Sequence, residues 1–121
     1  MQSVLLVDDD ERLVSSVARA LRVFLPGRTI HVVHSGFEAA SVLQTRAWEA
    51  VVTDFSMSDG DGDYVLALAA QLHPNAIRIL VTARDEMPKN VDAHHRFTKP
   101  YNVGEIATLI ERWPTDRRTI R

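Results

Sequence analysis

The chain has 121 residues, 45% hydrophobic and 25% charged, with a formal net charge of −2. That size and balance fit one globular domain with a sizeable core and give no basic excess for nucleic acid or an acidic membrane surface. It has no cysteine, which excludes disulfides, zinc–thiolate sites and thiol catalysis and fits a reducing compartment. No signal-peptide pattern and no apolar run of membrane-spanning length is present, so the expected location is the cytoplasm.

In chain order, Val4-Leu5-Leu6-Val7 is a short apolar run of buried-strand type, and it ends in Asp8-Asp9-Asp10. Leu13, Val14, Val17, Ala18 and Leu21 then recur at helical spacing until the breaker pair Pro26-Gly27. Asp10 reads as the residue that starts this helix. A second strand covers 30–33. Ser35-Gly-Phe-Glu38 has the form of a capping box and predicts a helix with Phe37, Ala40 and Leu43 on its core face. A third strand, 50–53, runs into Asp54. After a Gly/Asp loop comes a helix with Val65, Leu68, Ala69 and Leu72 facing inward, ending before Pro74. A fourth strand covers 77–81 and a weak fifth 95–98. Asn102 is positioned to cap a last helix carrying Ile106, Leu109, Ile110 and Trp113, with Pro114 closing it and 113–121 left as a tail or the start of a linker.

Alternating strands and helices predict a single α/β domain over 1–121 with a mostly parallel sheet and helices on both faces. In such sheets ligands sit beyond the carboxyl ends of the strands. Asp8 and Asp9 follow strand one, Asp54 follows strand three, Thr82 ends strand four and Lys99 ends strand five. Each alone has a bland reading as a cap, a strand residue or a surface charge. At the ends of four different strands they point to one site. Three consecutive carboxylates after a buried strand repel one another and call for a counter-charge. "DGDGD" at 59–63 imitates an EF-hand loop but has Tyr64 and Ala70 where that loop needs glycine and glutamate.

The ordered set "VLLVDDD", "VVTDFSMSDGDG", "LVTA" and "FTKP" resembles the receiver domain of bacterial two-component response regulators. The resemblance implies a flavodoxin-like five-stranded sheet in the order 2-1-3-4-5. It implies that Asp54 accepts a phosphoryl group from a histidine kinase or a phosphotransfer protein, and that Thr82 and Lys99 bind phosphoryl oxygens. It also implies a site for Mg²⁺ or Mn²⁺ formed by Asp9, Asp54, the backbone carbonyl of Ser56 and, mainly through water, Asp8. Ser56 and Arg84 would flank the path of the hydrolytic water, and the Lys99–Pro100 bond would be cis. Such a domain is a switch for a downstream output domain or effector, with no nucleic-acid contact of its own, and an enzyme only toward its own phosphorylation and dephosphorylation. The alternative is a degenerate receiver that binds partners independently of phosphorylation.

Three departures stand out. Ser58 replaces a usual proline, which predicts a looser loop. Arg96 stands three residues before Lys99, where a switch aromatic is usual, so either Phe97 takes that role or the aromatic switch is absent. Residues 84–92 include Pro88 and offer only Met87 and Val91 as large apolar side chains. The helix before strand five is therefore predicted to be shortened or missing. In the family that helix, strand five and the last helix form the common signalling and dimer surface.

Overall fold

The computed structural model describes residues 2–58, 61–83, 85 and 87–119, with 115–119 described by backbone alone. Five strands form one sheet: β1 (Ser3–Val7), β2 (Thr29–Val33), β3 (Ala50–Asp54), β4 (Ile77–Thr82) and β5 (His95–Thr98). Their order is β2-β1-β3-β4-β5 and every pairing is parallel. Every residue of the central strands β1 and β3 is buried, as expected where helices cover both faces. α1 (Glu11–Phe24) and α4 (Val103–Thr119) pack on one face, around Leu6, Val52, Ile79, Leu21 and Ile106. α2 (Gly36–Leu43) and α3 (Gly62–Leu72) cover the other, around Leu5, Val51, Leu43 and Val65. No α-helix occurs among the described residues between Thr82 and His95, in agreement with the apolar-poor, proline-containing sequence there.

The caps follow the sequence. The Asp10 carboxylate accepts the Leu13 N–H at 3.1 Å and starts α1. The Ser35 hydroxyl accepts the Glu38 N–H at 3.0 Å, and Asn102 Oδ1 accepts the Glu105 N–H at 3.3 Å. Three helix expectations need correction. Phe37 is exposed; Gly36, Ala39 and Leu43 face the sheet, because α2 begins one residue earlier in phase and Phe37 lies about 100° around the axis from Gly36. On α3, Leu66 is buried and Leu72, at the last turn, is 40% exposed. Pro114 does not end α4, which continues to Thr119. Proline forfeits one bond, to the carbonyl of Ile110, but its fixed φ is helical and the following residues resume the ladder.

One strut was not foreseen. Arg28, ahead of β2, donates to both carboxylate oxygens of Glu49 at 3.2 and 3.1 Å and to Glu111 at 2.8 Å. It ties the amino-terminal edge of the sheet to α4, and its hydrogen bond to Glu49 is the main cause of a raised guanidinium pKa.

Candidate functional site

The register of the sheet explains why distant acids meet. β1 lies directly beside β3, with Val7 opposite Thr53, so the residues that follow each strand emerge side by side. Asp8 and Asp54 are both buried, at 3% and 6% exposure, while Asp9 is exposed. Asp8, Asp9 and Asp54 each present an oxygen within 4.8 Å of the others.

Lys99, just past β5, reaches between two of these acids. Its Nζ lies 3.2 Å from Asp8 Oδ2 and 3.3 Å from Asp54 Oδ1. The other Asp8 oxygen accepts the Asp10 N–H at 2.9 Å, and Asp54 Oδ1 also accepts the Phe55 N–H at 3.0 Å. Thr82, fully buried, closes β4 beside Thr98, and its carbonyl accepts the Lys99 N–H at 2.8 Å. The Lys99–Pro100 bond is cis. Ser56 follows in the loop after β3, half-buried; Arg84 lies outside the described residues, as do 59 and 60 of the loop expected to loosen around Ser58.

Charge is poorly balanced in this pocket. Burial, and then the neighbouring Asp8, raise the Asp54 carboxyl from 3.8 to about 6, against the opposing pull of Lys99 and the Phe55 N–H. Burial works to lower Lys99, but Asp8 and Asp54 outweigh it and hold the ammonium above its ordinary value. Tyr101, two residues beyond Lys99, is pushed up to about 12 by burial and by the same two acids, so its phenol stays neutral. The donor set is all oxygen and carries excess negative charge in a space under 5 Å across, a fit for a small hard cation such as Mg²⁺ or Mn²⁺.

Two contributors escaped the sequence reading. Gly62 passes so close to β3 that a Cβ there would sit 2.2 Å from the Asp54 carbonyl oxygen; the sequence signalled a Gly/Asp loop here but not this approach. His34, just after β2, places Nδ1 3.4 Å from the Asp8 carbonyl, and nothing in the sequence marked it.

The position of Arg96 is also clear. It is exposed, opposite Leu80 of β4, and its guanidinium donates to the carbonyls of Pro88 and of Lys89 (2.9 Å). Phe97 turns to the α1/α4 face, where it lies 6.4 Å from the Tyr101 ring. The outward position before Lys99 is thus an arginine that pins the β4–β5 connection, and the adjacent aromatic faces the core.

A family model described as the response regulator receiver domain matches residues 4–111. The chain belongs to this family. Similar proteins include the response regulator protein FleR of Pseudomonas aeruginosa, 29% identical over 90% of this chain and 24% of that protein. The transcriptional regulatory protein GlrR of Escherichia coli is 31% identical over 89% of this chain and 25% of its own length. TrcR of Mycobacterium tuberculosis, another transcriptional regulatory protein, is 30% identical over 88% of this chain and 43% of its own. The receiver described here therefore spans between about a quarter and a half of these curated relatives. Among solved structures, a CheY-like receiver domain protein from Methanospirillum hungatei superposes with a TM-score of 0.83 at 20% identity, covering 98% of each chain. TrrA from Thermotoga maritima, solved with Mg²⁺ and beryllofluoride, gives 0.80 at 22% identity over 93% of this receiver and 99% of that chain. These likenesses agree with the flavodoxin-like order of the sheet. Receivers are signalling modules, and no helix among the described residues of this one is long and apolar enough to cross a membrane.

Proposed function

We propose that this receiver takes a phosphoryl group onto Asp54 from a phosphohistidine of a sensor kinase or phosphotransfer protein, and passes the resulting change to an output domain or effector in the cytoplasm. The observation that carries the reading is Lys99 Nζ held between Asp8 and Asp54, at 3.2 and 3.3 Å, in a cluster that also gathers an oxygen of Asp9.

An Asp54 oxygen attacks phosphorus while the P–N bond breaks and its electron pair returns to the donor imidazole. A carboxylate is a weak nucleophile, so positioning and charge stabilisation supply most of the acceleration. Lys99 already faces Asp54 and is placed to pair with one phosphoryl oxygen. The Thr82 hydroxyl is assigned a second. Asp8, Asp9, Asp54 and the Ser56 carbonyl would hold Mg²⁺, or Mn²⁺ in its place. When bound, that cation supplies positive charge to the clustered carboxylates and the phosphoryl oxygens. Asp8 also orients Lys99 through their ion pair. Hydrolysis of the acyl phosphate resets the switch, and Ser56 is assigned an influence on the approach of water from the family resemblance. Arg84 is assigned the same role from the sequence alone.

Incubation with acetyl phosphate and Mg²⁺, followed by intact mass measurement, tests the reading. One added phosphoryl group is expected, and Asp54→Asn should abolish it. Stoichiometric labelling of that variant, or none of the unaltered chain, overturns the assignment.

A further inference from the structure

At the end of the sheet away from the acids, the residue ahead of β5 makes a paired contact with β4. The His94 N–H donates to the Arg78 carbonyl at 2.8 Å, and the Arg78 N–H donates to His94 Nδ1 at 2.9 Å. A backbone N–H can only donate, so Nδ1 is unprotonated in this pose. The imidazole packs on Trp113 of α4, with ring centroids 4.5 Å apart and planes at 55°. Trp113 is 4% exposed, and its indole N–H donates to the Asn75 carbonyl at 2.8 Å.

Trp113 is also the last residue before Pro114, which lies inside α4. Proline has no N–H, so the bond to the Ile110 carbonyl cannot form, and the helix is at its weakest one residue past its anchor. Up to Trp113, α4 is fastened to the core through Ile106, Ile110 and Trp113.

We propose that His94 is an acid-sensitive latch on the last helix: the neutral imidazole seats Trp113 and sets the direction of α4 beyond Pro114, and protonation of Nδ1 releases that hold. The protonated ring would turn an N–H toward the Arg78 N–H, donor against donor, and so leave its pose. An imidazolium is attracted to an indole face, but the pose that stacks the ring on Trp113 is the one set by the Arg78 N–H. Among the described side chains, the charged groups around the ring are Arg78 from β4, His95 from β5 and Asp92 from the connection. Asp92 is engaged by Arg78 at 2.8 Å. From α4 the contact is the uncharged Trp113, whose neighbour Arg112 is exposed. Burial, then Arg78 and His95, hold His94 below its ordinary value, with Asp92 opposing. The seated state is therefore fully stable above the ordinary histidine pKa of 6.5 and weakens as pH falls through it toward the lower folded value.

The test is NMR on the full chain from about pH 8 to about pH 5, following the His94 ring, the Trp113 indole N–H and the relaxation of amides 115–119. The Trp113 signal should shift with the His94 midpoint. Its solvent exchange, corrected for the intrinsic pH dependence, should rise several-fold, and amides 115–119 should gain motion. His94→Asn keeps an acceptor near the Nδ1 position and cannot be protonated there, so the response should vanish with Trp113 still protected. His94→Ala should be unlatched already at the upper pH; if it does not fold, the comparison with His94→Asn decides. A flat Trp113 signal while His94 titrates, or an unchanged transition in His94→Asn, overturns the proposal.

Discussion

Replacing Asp54 by Asn in protein stripped of divalent ions isolates the electrostatics of the pocket from its chemistry. In the fold this carboxyl titrates at about 6 instead of 3.8, because burial and then Asp8 oppose its charge more than Lys99 favours it. At 1.36 kcal/mol per tenfold change, full ionisation sets about 3 kcal/mol against the folded state. Lys99, at 25% side-chain exposure, leaves one edge of the pocket open to water. Solvent screening there reduces the expected cost to about 1–2 kcal/mol. The unfolded chain ionises Asp54 near 3.8 and the folded chain near 6, so between those values the folded state holds the extra proton. Stability therefore falls as pH rises across that window, and the loss is complete above it. Asparagine has the same shape and no charge. By urea denaturation in EDTA, Asp54→Asn should be more stable than the unaltered chain by about 1–2 kcal/mol at about pH 8, with the gap closing by about pH 4. Equal stabilities at the upper pH, or a gap that is constant across the range, would refute the reasoning.

Gly62→Ala places a methyl 2.2 Å from the Asp54 carbonyl, a backbone atom with no flexible side chain to yield. A loss of roughly 1–3 kcal/mol in the same denaturation assay is expected, together with slower phosphorylation, and unchanged stability would contradict the close approach. Asp9→Ala removes one of the three clustered carboxylates, so Mg²⁺ binding followed by fluorescence titration should weaken at least several-fold while the metal-free fold is unharmed or stabilised. An unchanged titration counts against Asp9 as a ligand. Lys99→Ala should still accept some phosphate from acetyl phosphate but lose the associated spectral change, because the cation that pairs with Asp8 and Asp54 is gone. An intact phosphorylation-dependent shift in that variant argues against the role. With no α-helix among the described residues between Thr82 and His95, a dimer through the surface that the resemblance assigns to that helix, β5 and the last helix is not expected: sedimentation should show no phosphorylation-induced dimer, and a dimer lost on altering exposed residues of α4 would show the opposite.

Local pattern was enough for much of this receiver. The runs at 4–7, 50–53 and 77–81 announced buried strands because helices cover both faces of the inner strands, leaving no polar alternation to confuse them. Asp10, Ser35 and Asn102 announced helix starts because a cap is decided within three residues of its partner N–H. The acids, Thr82 and Lys99 were recognisable because each directly follows or ends a strand, and parallel strands all deliver their ends to one edge. Tertiary contact decided the rest. The phase of α2 was set by which side of the helix the sheet covers, so Phe37 went to solvent although its hydrophobicity suggested otherwise. α4 ran through Pro114, since losing one hydrogen bond did not outweigh continuing the helix. The approach of Gly62 to Asp54, the bridge from Lys99 to Asp8, and the seat of Trp113 on His94 join residues that are 8, 91 and 19 positions apart. No periodicity encodes such pairs; they exist only once β1 lies beside β3, β5 closes the sheet edge, and the last helix packs across it.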